Sequence, residues 1–119
     1  MINKDLIELQ KGLKSTAVII KNEDLENLDS KIIINTNCTD GNLLKTLKED
    51  MSKDINYLVI EQIDKLDADK QDTYYQIVKD RELFGNELPK DTIIVFTVES
   101  KETLKNITQE LYNLCVVAF

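Results

Sequence analysis

The stretch Tyr57-Leu58-Val59-Ile60-Glu61-Gln62-Ile63-Asp64 decides the fold of this chain. Its first four residues are apolar without alternation, the pattern of a strand covered on both faces, and such strands belong to parallel sheets flanked by helices. It then turns polar at the carboxyl end, where ligands sit in an open parallel sheet. Similar runs recur at Thr16-Ala17-Val18-Ile19-Ile20, Lys31-Ile32-Ile33-Ile34-Asn35-Thr36, Thr92-Ile93-Ile94-Val95-Phe96-Thr97 and Cys115-Val116-Val117-Ala118-Phe119. Periodicity alone does not separate the run at Thr16 from a buried helix.

Helical spacing fills most of the intervals. Leu6, Leu9 and Leu13, with Ile2 extending the series, predict a short amphipathic helix over residues 5–13 that ends near Gly12. Thr39 or Asp40 caps a second, carrying Leu43, Leu44 and Leu47 to about Asp50. Asp67 caps a third through Tyr74, Tyr75, Ile77 and Val78, whose aromatic rings are placed for packing. Ser100, with Thr103 at the capping-box position, opens a last helix that buries Leu104, Ile107 and Leu111. The acidic connector 22–29 is too short for a helical crossover by itself, and 81–89 reads as a loop. The expectation is an α/β domain spanning residues 1–119, with a four- or five-stranded, mostly parallel sheet and helices on both faces.

Composition narrows the function. The 119 residues suit one domain that buries roughly two-thirds of its unfolded surface. No apolar run approaches the roughly 20 residues of a membrane span, and Met1-Ile2-Asn3-Lys4-Asp5 lacks the basic flank of a signal peptide, so the expected location is the cytoplasm. A net charge of −7, with Arg81 the sole arginine, argues against nucleic acid and for a basic protein partner or simple solubility. Cys38 and Cys115, without CxxC spacing and without any histidine in the chain, read as free thiols.

The succession Glu61-Gln62-Ile63-Asp64-Lys65, then Gln71, then Arg81-Glu82-Leu83 with Gly85 and Leu88-Pro89-Lys90, resembles the AAA+ ATPases, especially their MoxR-like branch. It covers about half the chain, residues 57–119. The resemblance implies a P-loop-NTPase-like topology and makes 57–64 the Walker B strand. Glu61 then stands at the magnesium-supporting Asp, and Gln62 at the Glu that activates water. The Gln62 amide has no basic carboxylate and takes no proton from water at neutral pH. The run 92–97 resembles the sensor 1 strand, whose polar sensor falls near Glu99, a carboxylate that repels phosphate. Asn113 stands where an arginine finger is expected, and the helical lid of the family has no counterpart in the sequence.

A P-loop needs glycines that let backbone N–H groups approach phosphates, followed by Lys and Ser or Thr. No GxxxxGK[ST] occurs. The nearest relic is Gly12-Leu13-Lys14-Ser15-Thr16, which keeps Lys14 and Ser15 and would turn the run from Thr16 into a helix. The vestigial cofactor-binding set is therefore Lys14, Ser15, Glu61 and Gln62, and each also reads as an ordinary polar residue at a turn or strand end. Asp64, Asp67 and Asp69 lack the glycine and distal Glu of a calcium loop and read as a solvated helix start.

Three functions fit these readings. The first is a non-catalytic AAA+-like protein-interaction module, a pseudo-ATPase without cofactor whose partner is a protein such as an active ATPase subunit. The second is a divergent ATPase that still holds ATP and magnesium. The third is a small signalling domain of the flavodoxin-like or anti-sigma-antagonist kind, whose phosphoacceptor would be sought at Ser30, Ser52 or Ser100.

Overall fold

The computed structural model describes residues 4–10, 15–28, 31–34, 57–83, 86–88 and 92–119. Strands β1 (Ala17–Lys21), β2 (Lys31–Ile34), β3 (Tyr57–Ile60), β6 (Ile93–Val98) and β7 (Cys115–Val117) form one sheet in the order β2-β3-β6-β1-β7. Every neighbouring pair is parallel. The run after Thr16 is thus a strand, which removes the alternative of a helix following a phosphate loop. The fold is the expected α/β class, and its strand order is compatible with a P-loop-NTPase-like core.

The unalternating runs earn their place by covering both faces of the sheet. On one face, register aligns Ile60, Phe96, Ile19 and Val117 in a row, with Leu58, Ile94, Ala17 and Cys115 in the row below. Ile63, Ile77, Val78, Ile107 and Leu111 close over them. On the other face Val18, Ile20, Tyr57, Val59, Ile93 and Val95 pack with Ile7 and Leu28. At roughly 1.5–3 kcal/mol for each fully buried large apolar side chain, these two layers are the main source of stability.

Helix α1 (Lys4–Glu8) is shorter than its spacing predicts; residues 11–14 lie outside the described set, as does the helix expected over 39–50. The connector after β1 is a 3-10 turn, Asn22–Asn27. Helix α2 (Ala68–Asp80) starts as expected, with the Asp67 side chain accepting the Lys70 N–H at 2.9 Å. It ends at Arg81 in the left-handed region, φ 54° and ψ 37°, a position that favours glycine. Arg81 is held there by the bond its guanidinium donates to the Thr92 carbonyl at 2.8 Å.

Two further elements differ from the sequence reading. The stretch read as a loop contains a short antiparallel pair, β4 (Glu82–Leu83) with β5 (Asn86–Glu87), and Leu88 beside it is buried. The helix expected after Ser100 is split into a 3-10 turn, Glu102–Asn106, and α3 (Gln109–Tyr112). Ile107 is extended between them, with φ −88° and ψ 136°. The reason is local and tertiary together. Thr108 caps α3 by accepting the Leu111 N–H, and the Thr108 N–H is itself captured at 2.7 Å by the Gln71 side chain from α2. Continuous helical spacing at Leu104, Ile107 and Leu111 carries no sign of that capture.

Candidate functional site at the carboxyl edge of the sheet

All strands of the sheet point the same way, so the turns after β1, β3 and β6 share one edge. From β1 the chain travels past β6 and β3 to reach β2; from β6 it travels the other way, past β1, to β7. The connections therefore diverge between β1 and β6, and a crevice at such a switch point is where open α/β sheets bind ligands. Register sets Lys21 beside Val98 there.

The turn after β3 is pinned to β6 by two bonds. Gln62 adopts the left-handed region, φ 57° and ψ 46°, and its backbone N–H donates to Thr97 Oγ1 at 2.9 Å. Asp64 accepts the Glu99 N–H on Oδ2 at 3.1 Å. Asp64 is thus buried, not part of a solvated helix start, while Asp67 is the helix cap and Asp69 is exposed. After β6, Ser100 and Thr103 close a reciprocal turn: the Ser100 N–H donates to Thr103 Oγ1, and the Thr103 hydroxyl donates to the Ser100 carbonyl. Glu102 accepts from its own backbone N–H and from the Ser100 hydroxyl, which together hold its carboxyl below the usual range.

After β1 comes Lys21-Asn22-Glu23-Asp24. Lys21 Nζ lies 3.9 Å from the exposed Glu23 Oε1 and 5.4 Å from the centre of the Phe119 ring. Asp24 is buried. A phosphate loop follows a strand and opens a helix, but here the interior strand β1 runs into an acidic 3-10 turn without glycine.

The four residues singled out from sequence do not converge. Glu61 and Gln62 lie half-buried at the carboxyl edge, immediately after β3. Ser15 precedes β1 at the opposite edge, where its hydroxyl donates to the Lys79 carbonyl at 2.9 Å. Lys14 lies outside the described residues. Asn113 follows α3, also at the amino edge beside β7, and accepts from the Gln109 side chain.

Two contributors, Asp24 and Thr97, were missed in the sequence. Asp24 sat unremarked in an acidic connector, and Thr97 looked like one more β-branched strand residue. Gln71 was noted only through the family resemblance; its position two residues into a polar stretch gives no sign of its burial. Among the described residues, no three acidic or thiol side chains gather closely enough to hold a metal ion. Comparison with protein-family models and with curated proteins returned no match to the chain.

Proposed function

We propose that this chain is a non-catalytic AAA+-like module that binds another protein, with an active ATPase subunit as one candidate partner. The observation that carries the reading is the acidic turn after β1. At the place in the fold where a P-loop would cradle phosphate stand Glu23 and Asp24, and the nearby Lys21 lies beside Glu23 and Phe119. Glu61 and Glu99, which follow β3 and β6, add negative charge at the same edge of the sheet. These carboxylates disfavour a nucleotide carrying several negative charges, and no glycine-rich loop follows β1 to offer backbone donors.

The distance between Ser15 and Gln62, at opposite edges of the sheet, further supports a site without phosphoryl chemistry. Gln62→Glu restores a carboxylate at the water-activating position of the family, yet one carboxylate does not replace a phosphate cradle. The variant, shown to be folded by circular dichroism, is therefore expected to hydrolyse no ATP above background. Measurable turnover would favour the second reading, a divergent ATPase in which Glu61 still positions magnesium.

A further inference from the structure

Strand β7 is an edge of the sheet, and β1 is its one neighbour. The Ala17 N–H donates to the Leu114 carbonyl at 3.0 Å, and the Ala118 N–H donates to the Ile19 carbonyl at 2.9 Å. Backbone groups alternate in direction along a strand, so Leu114, Val116 and Ala118 turn theirs toward β1. Cys115 and Val117 turn theirs outward, and among the described residues nothing pairs with them. Such a row of open N–H and C=O groups is a template for another strand, and edges are usually guarded by charged side chains or proline. Neither guard is present here, because residues 111–119 hold no charged side chain and no proline. All three residues of β7 are half-buried, and Tyr112, just before it, is exposed.

We propose that β7 pairs antiparallel with β7 of a second copy of this chain, joining the two sheets across a two-fold axis. A two-fold axis sets identical strands antiparallel, so the edge must complement itself. It does: Cys115 of each copy then faces Val117 of the other, and each such pair exchanges both of its N–H···O=C bonds. The same register places Val116 on the axis, opposite its own counterpart, with Cα atoms about 4.5 Å apart as in any non-hydrogen-bonded pair. Facing β-branched side chains at that spacing pack well. Charge favours this edge over the rest of the surface. The chain carries −7, so two copies repel each other, and an uncharged strand is where they approach at least cost. An antiparallel strand at the edge of a parallel sheet is a common arrangement. The contact is made by backbone groups of β7 and stands whether or not nucleotide binds at the carboxyl edge.

The test is sedimentation equilibrium of the full chain over a range of concentrations. A reversible monomer–dimer equilibrium is expected, strengthened by added salt, which screens the repulsion between acidic copies. Val116→Lys sets like charges face to face and is expected to weaken the dimer by at least about tenfold. Val117→Pro removes an outward N–H and leaves the bonds to β1 in place, so it is expected to do the same. Asn27→Lys adds equal charge at an exposed position on the connector to β2, the far edge strand, and is expected to stay within about twofold. Circular dichroism and thermal melting establish that each variant is folded. Val116→Cys/Cys115→Ala, oxidised in air, is expected to give a disulfide between the two copies at position 116, since the Cα spacing on the axis suits one. A chain that stays monomeric at every concentration overturns the proposal. So does a dimer that Val116→Lys and Val117→Pro leave intact, or one that Asn27→Lys weakens equally, because it would be built on another surface.

Discussion

The Cys115 thiol donates to the Leu111 carbonyl at 3.2 Å, and burial pushes its pKa up to about 12. The fold thereby favours the neutral thiol. With an unfolded value near 8.5, its contribution to stability is complete below about pH 8.5 and is lost as pH rises toward the folded value. Since the thiolate is the nucleophile, Cys115 is expected to resist maleimide at pH 8 in the native protein and to react readily in urea. Mass spectrometry of the labelled peptide checks this; fast native labelling of Cys115 would contradict the packing of β7 against the face that holds Leu111. At the same scale, Asp64 illustrates why residue type alone misleads. An Asp beside Asp67 and Asp69 reads as solvent-facing, and nothing local signals that its oxygen takes the N–H of Glu99, just past the end of β6.

Between elements, the largest single dependence falls on Gln71. It is 1% exposed, donates from Nε2 to the carbonyls of Leu66 and Asn106 at 2.9 and 2.8 Å, and accepts the Thr108 N–H. One side chain thus ties α2 to the turn after β3 and to the start of α3. Gln71→Leu keeps the volume but strands these groups, and is expected to cost about 3 kcal/mol or more in urea unfolding, since each unsatisfied buried group costs about 1–3 kcal/mol. A loss below about 1 kcal/mol would mean that the three bonds are replaced by water. Ile60→Asp is expected to abolish cooperative thermal melting, because it buries a charge in the row with Phe96 and Ile19. A cooperative transition near that of the parent would refute the two-faced burial of β3. These elements also show what the sequence made legible. Continuous apolar runs marked the five strands of the parallel sheet, with the run at Thr16 left open to a helix, and in β1, β3 and β6 that signature reflects burial on both faces. The break at Ile107 and the pair β4 with β5 were hidden, since each depends on partners distant in the chain.

Across the whole molecule, strand order does what no single segment can. It brings the turns after β1, β3 and β6 to one edge and sends Ser15 to the other. Glu61 and Gln62 could be placed at that edge from sequence, as a polar turn after an apolar strand. Asp24 could not, because its approach to β6 follows from topology. Among the described residues no helix is long and apolar enough to cross a membrane. On the proposed non-catalytic reading, the carboxyl edge of the sheet presents acidic turns and no phosphate cradle. Isothermal titration of the purified chain with ATP and magnesium, alongside ADP and magnesium-free ATP, tests it most directly. A non-catalytic module gives no binding heat even at high protein concentration; saturable, magnesium-dependent binding of ATP would contradict that reading.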